Sequence, residues 1–292
     1  MFYVVLIWVC YIFLSFCDKA SGNGVNGIKH AVKYAALRSF FGALCALVLL
    51  LFSGSGFSLT LPTLLSAIAF GVLVAADLLN FLFLAKTGMV ALMTVSGQAG
   101  SLLIPLFAGV FIFSNPVKPI QWPFIVLLIF ASYLLCNSSK GIYKNFSYNT
   151  VLMTLARLLF CGLGTVSMQI FEKYGNENLN LFFLLAFIVS GTVLSLTYPF
   201  LKAEGDKSSL KLSKKLILFA FIAAAVTFGV DAFVVLAMKY LPPVIQFPLT
   251  AAGSITVSWL IGAICFKEKI TIKSTAAIIL SATSVIMINY FN

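Results

Sequence analysis

Ionisable residues are scarce in this chain of 292 residues: 19 Lys and Arg, 8 Asp and Glu, and one His, so that 9% of positions are charged against 61% hydrophobic. Soluble domains carry about a quarter charged residues because their surfaces face water. A water-soluble globular protein is therefore excluded, and a mean hydropathy of +1.08 makes the bilayer the expected solvent. The six cysteines (Cys10, Cys17, Cys45, Cys136, Cys161, Cys265) lie in or beside apolar runs, with no spacing that staples secreted domains or binds zinc. With one histidine, no clustered metal ligands and no nucleophile and base pair, neither an enzyme nor a cofactor is expected. Gly22-Asn23-Gly24-Val25-Asn26-Gly27 has the spelling of a dinucleotide loop but lacks the preceding strand and the βαβ unit that motif needs.

What is abundant is apolar sequence in long runs. A membrane-crossing helix needs about 20 such residues, and ten segments read off the chain: 2–17, 31–53, 62–85, 88–113, 121–137, 148–171, 180–201, 214–239, 243–266 and 271–291. The long polar stretches are Asp18 to His30 and Lys202 to Lys215, both read as loops. The net charge of +11 is scattered over short loops, which predicts anionic headgroups as its partner and not nucleic acid. Asn137-Ser138-Ser139 and Asn145-Phe146-Ser147 crowd the membrane in one short loop, where glycosylation is not expected. The run from Met1 to Cys17 lacks the basic start of a signal peptide and is read as the first membrane segment.

Shifting the chain by 153 or 154 positions brings its halves into register. Ala99-Gly100-Ser101 then falls on Ala252-Gly253-Ser254, Asp77 on Asp231, Lys86 on Lys239, and Asp18-Lys19 on Glu172-Lys173. The same shift aligns a stripe of small or helix-adapting residues, Gly97, Ser101, Pro105 and Gly109, with Thr250, Ser254, Ser258 and Gly262. A spacing of four puts each stripe on one helical face, where small side chains let helices approach closely in lipid. The expected fold is an all-α integral membrane protein of ten transmembrane helices, arranged as two inverted five-helix repeats, residues 1–145 and 146–292. Five spans per repeat is odd, so the second half enters from the opposite side. Such inverted pairs commonly place a solute site at the midplane and open to either face by rocking.

The duplicated unit, Leu84-Ala85 and Leu236-Ala237 before very short loops, Pro105 in the fourth segment and Phe266-Lys267-Glu268 ending the ninth together resemble the drug/metabolite transporter superfamily, specifically its ten-helix EamA-type members. Where family members commonly duplicate the acidic residue at the end of the ninth helix, the first half here has Asn115. The resemblance implies that helices one to four and six to nine surround a central cavity, with five and ten at the edge. It also implies transport of small organic solutes, frequently outward, through the plasma membrane as a multi-pass protein.

A charge at the bilayer centre costs roughly 2.5–3.5 kcal/mol on insertion scales, so each needs a partner, water or a function. Asp77 and Asp231, matched between the halves, are candidate proton-coupling or substrate-amine sites; a permanent salt bridge is the structural alternative. Arg157 could recognise a substrate carboxylate or phosphate, or pair with an aspartate in the bundle. Arg38, nearer a helix start, could instead snorkel to headgroups. Gln98, Gln246 and Asn80 are candidate cavity wall or interhelical bonds, and Trp8 and Tyr11 could offer an aromatic face.

Three functional expectations follow: a proton-coupled exporter of a small organic metabolite, an amino acid or similar; a multidrug efflux pump for lipophilic cations, whose cavity would lack an ionised arginine; and a non-transporting scaffold, whose aspartates would all be paired. Loops after odd-numbered segments hold 14 lysines and those after even-numbered ones three. The positive-inside rule thus puts both termini outside, whereas the family resemblance implies both inside.

Overall fold

A computed structural model describes residues 2–22, 24–25, 27–54, 57–85, 90–113, 118–137, 148–175, 178–201, 212–265 and 272–291. Among these residues the chain forms ten α-helices and two short 3₁₀ turns, with no strand. In order they are α1 (Phe2–Gly22), α2 (Gly27–Phe52), α3 (Leu61–Ala85), α4 (Val90–Phe111), α5 (Trp122–Asn137), α6 (Tyr148–Tyr174), α7 (Leu179–Thr197), α8 (Lys214–Met238), α9 (Pro243–Cys265) and α10 (Ile272–Tyr290). Helix is the open-ended solution for such apolar runs, because lipid offers nothing to bond a stray amide or carbonyl. Five of the ten, α2, α3, α6, α7 and α8, are long and apolar enough to cross a membrane.

One sequence expectation is corrected. The polar stretch Asp18 to His30 is not a loop: α1 runs on to Gly22 and α2 begins at Gly27, whose φ of 75° makes the turn between them. Charged side chains are compatible with a helix end that leaves the apolar layer, so polarity alone misplaced this boundary. The expected boundary between repeats, after residue 145, falls outside the described residues.

Helix ends elsewhere follow side-chain chemistry. Asn178 caps α7 by accepting from the Leu181 amide at 3.2 Å, and Ser213 caps α8 by accepting from Leu216 at 3.2 Å. Gly54, at φ 60°, follows α2 in the left-handed conformation that ends many helices.

The packing pairs helices across the two halves of the sequence. α6 lies against α3 and α4, and α1 lies correspondingly against α8 and α9; α3 packs on α7 as α8 packs on α2. α2 with α7, α4 with α9, and α5 with α10 close the set. On α6 the sidedness is plain: Leu152, Leu155, Leu159 and Leu163 are exposed, whereas Gly162, Gly164 and Val166 to Met168 are buried. Apolar side chains also cover the outside elsewhere, including Leu44, Leu51, Leu65, Val72, Leu218 and Ile286. Such a surface suits hydrocarbon and would be untenable in water.

Apolar side chains gain little by leaving lipid for protein, so close contact and ring geometry must hold the helices together. A phenylalanine cluster supplies much of it: Phe171 of α6 stacks on Phe182 of α7 with centroids 4.2 Å apart. Phe183 meets Phe70 of α3 and Phe228 of α8 edge-on, at 6.1 and 5.7 Å. The α4–α6 crossing is closer still. A Cβ at Gly162 would stand 2.6 Å from the Gly100 carbonyl oxygen and 2.5 Å from the Ile104 Cβ, distances no side chain tolerates.

Gly162→Val is therefore expected to force α4 from α6 and lower stability by about 1–3 kcal/mol, read as thermal unfolding in detergent. Gly164→Ala is the control. Its new Cβ would lie 3.8 Å from the Phe70 ring, an ordinary contact, and its melting curve should match the native one.

Candidate functional site

Two neighbouring cavities lie among these helices. The larger, about 360 Å³, is walled by α3, α4, α6 and α8 and includes Asp77, Gly97, Ser101, Arg157, Thr227 and Asp231. The smaller, about 110 Å³, adds α1 and α9 and includes Tyr11, Phe247, Thr250 and Ser254. Ser101, Thr165, Met168 and Asp231 border both. A turn further along α6, a vestibule of about 420 Å³ lies between the ends of α4 and α6 and the α8–α9 turn. Gln169, Glu172, Lys173 and Lys239 line it.

Helical spacing explains why these side chains converge. Arg157, Cys161, Gly164, Thr165 and Met168, at positions 0, 4, 7, 8 and 11 of a helical repeat, share one face of α6 opposite its exposed leucines. Thr227 and Asp231 are one turn apart on α8. Asp77 on α3 and Asp231 on α8, matched in the sequence halves, face the same larger cavity.

Their electrostatic situations differ. Arg157 Nη1 lies 3.0 Å from Asp77 Oδ1, with the two side chains 13% and 21% exposed, and it donates to the Asp77 backbone carbonyl at 3.4 Å. The carboxylate contact is an ion pair without hydrogen-bond alignment. The guanidinium also lies over the Phe81 ring, 4.7 Å from its centroid, and against Gly97, where a Cβ would sit 3.1 Å from the guanidinium nitrogens Nε and Nη2. The glycine of the α4 stripe thus makes room for an arginine from α6. No such partner serves Asp231: among the described residues it makes no hydrogen bond or ion pair, although the Arg38 charge lies within electrostatic range.

Arg38 does not line either cavity. The earlier start of α2 places it eleven residues inside the helix, where Nη1 donates to Asp18 Oδ1 at 2.8 Å and Nη2 donates to Thr227 Oγ1. It ties α1, α2 and α8 together. Asn80 Nδ2 donates to the Met153 carbonyl at 2.7 Å, bonding α3 to α6. Gln246 is buried; its amide donates to the Val234 carbonyl at 2.7 Å, while its Oε1 has no partner. Both are interhelical bonds, and neither residue lines the cavities.

Trp8 lies where a Cβ at Gly253 would stand, its indole N–H buried and unpartnered. Tyr11 borders the smaller cavity. Of the two stripes, Gly97 and Ser101 line the larger cavity, and Thr250 and Ser254 the smaller one. The Pro105 carbonyl accepts from Gln169 Nε2 at 3.2 Å, and Gly109 faces Pro243 of α9. The side chains of Gln98 and Ser258, the surroundings of Gly262, and the positions of Lys86, Asn115 and Glu268 lie outside the described residues.

Phe160, Cys161, Thr165, Met168 and Thr227 are cavity residues the sequence reading passed over. Their signal was available: each lies three to eleven positions from Arg157 or Asp231 on the same helical face. Among the described residues, no group of His, Cys, Asp and Glu is placed to hold a metal ion.

No family model matches the sequence, and no curated protein matches it. Among solved structures, a protein chain known from a crystal superposes with a TM-score of 0.73, covering 99% of this chain and 96% of its own at 12% identity. At that identity the likeness establishes a shared fold and leaves the solute undefined.

Breaking the cavity ion pair from one side leaves a lone charge. Asp77→Asn and Arg157→Met should each destabilise the protein, and the double variant should recover a coupling energy of about 0.5–3 kcal/mol. A double-mutant cycle of unfolding in detergent measures it, and strictly additive losses would show that the pair does not interact.

Proposed function

We propose that the chain is a secondary transporter of the drug/metabolite type, built as ten membrane spans in two inverted five-helix repeats. In this reading it moves a small organic metabolite, an amino acid or similar, across the plasma membrane, outward and coupled to protons. The observation that carries the reading is the placement of Asp77 and Asp231, matched residues of the two halves, around one cavity between helices of both halves. The correspondence of helix contacts supports the repeat: α6 with α3 and α4 against α1 with α8 and α9. Inverted transporters hold their solute where their halves meet.

Asp231 is the coupling residue in this reading. A carboxylate with no fixed counterion can exchange a proton for a solute, whereas Asp77 is held by Arg157. Of the other readings, a scaffold would have its aspartates all paired and its helices closed on each other; an unpaired Asp231 beside a 360 Å³ space speaks against it. A pump for bulky lipophilic cations fits less well than a smaller solute, because the space beside Asp231 is only about 360 Å³.

Proteoliposomes carrying an internal pH indicator and challenged with pooled metabolites should report proton movement. Asp231→Asn should reduce that signal about tenfold or more, the scale of losing one essential proton carrier, while the protein still folds. Undiminished coupled flux in the variant would remove Asp231 from the mechanism.

A further inference from the structure

We propose that the solute site is selective for net charge: it takes a small organic cation carrying one ammonium group, seated on the Asp231 carboxylate between aromatic walls, in preference to neutral, zwitterionic or anionic molecules of the same shape. This rests on the transport reading only in calling the bound molecule a solute, and it narrows that reading's amino acid or similar metabolite to one with net positive charge. The cavity, its charge and its walls stand independently of it.

Charge accounting around α8 leads here. α8 packs on α1, α2, α6, α7 and α9. From α2, Arg38 is paired at 2.8 Å with Asp18 of α1, which is exposed, so its charge is answered at the edge of the bundle and not in either cavity. From α6, Arg157 is matched by Asp77 at 3.0 Å. α7 and α9 contain no charged residue within Leu179–Thr197 and Pro243–Cys265. Glu172 and Lys173 of α6 belong to the vestibule, as does Lys239 just beyond α8. Lys214 and Lys215 open α8 more than four turns before Asp231, Lys29 of α2 donates to the Leu201 carbonyl at 3.2 Å, and Lys33 is exposed. Two acids are thus paired with two arginines, and Asp231 is the acid left over among the described residues bordering the cavities.

A neutral guest would displace water from that carboxylate without replacing its interactions, and an anion would meet it with like charge. An ammonium supplies both charge and donors. The walls favour the same guest: Tyr11, Phe70, Phe160 and Phe247 border the two spaces, and aromatic faces attract cations, more strongly out of water. Arg157 does not reverse this, because its charge is answered by Asp77. A zwitterion would satisfy Asp231 but bring a carboxylate for which the described residues bordering the cavities offer no unanswered cation. The larger space, about 360 Å³, lies at the small end of ligand sites, which suits one ring or a short chain.

Four probes sharing one phenyl ring separate charge from shape: 2-phenylethylamine, 2-phenylethanol, phenylalanine and 3-phenylpropionate. Binding to the purified full chain in detergent is measured by isothermal titration calorimetry, with empty micelles subtracted. The amine should bind about tenfold or more tighter than the alcohol or the zwitterion, about 1.4 kcal/mol per tenfold step, and the carboxylate should bind weakest. In Asp231→Asn the amine and alcohol should bind equally.

Equal binding of amine and alcohol in the native chain, tightest binding by the carboxylate or zwitterion, or binding by none of the four overturns the proposal whether or not the variant folds. An amine preference that survives in a folded Asp231→Asn also overturns it. Transport is judged separately, by the proteoliposome assay: amine binding without flux of any solute would defeat the transport reading and leave this one standing, whereas coupled flux of an anion would do the reverse.

Discussion

An ionised side chain surrounded by hydrocarbon must be given a counterion, water or a proton, and the arrangement of helices around the cavity turns on how that demand is met. Arg157 needs an acid, so α6 must lie where Asp77 of α3 can reach it, and α4 must offer a glycine for the guanidinium to rest against. Arg38 needs an acid as well, and its two bonds draw α1 and α8 to α2. Each pairing ties together elements from both halves of the chain. Asp231 is the exception, and the exception borders the open space.

The apolar contacts work to the same geometry by a different route. Lipid competes for every leucine, so helices that merely bury apolar area gain little over helices left apart. What discriminates is contact that lipid chains cannot reproduce, such as the Gly100–Gly162 approach of α4 to α6 and the stacked Phe171–Phe182 pair. Small residues and aromatic rings consequently sit at the crossings, and leucine fills the outside.

Helix positions were legible in the sequence because lipid imposes one rule on every span: a run of apolar residues of sufficient length closes its own backbone bonds. Nine of the ten segment starts read from the sequence lie within two residues of a helix start, and the exception is α2. There the polar residues Asp18 to Gly22 continue α1 and Gly27 to His30 open α2, since polarity reports departure from the lipid layer and not the end of helical structure. The site was legible in part. Asp77, Asp231 and Arg157 stood out because charges are rare in such runs, and their meeting in one cavity follows from faces that 3.6-residue periodicity fixes. Which acid would be paired was not legible. Asp77 and Asp231 are equivalent by sequence register, and only the approach of α6 to α3 distinguishes them. Arg38 lies a full turn deeper in its helix than a start at residue 31 implies, because four more helical residues precede it.

The phenylalanine cluster joins α3 of the first half of the chain to α6, α7 and α8 of the second. Rings stacked 4.2 Å apart cannot slide past each other without losing contact. Any rearrangement that closes the cavity on one side and opens it on the other must keep this cluster as its axle or break it. If it is kept, the sweep belongs to helices that lack a share in it, among them α1, α4 and α9, which complete the wall of the smaller cavity. The stiffest part of the molecule would then be the part that lets the remainder turn.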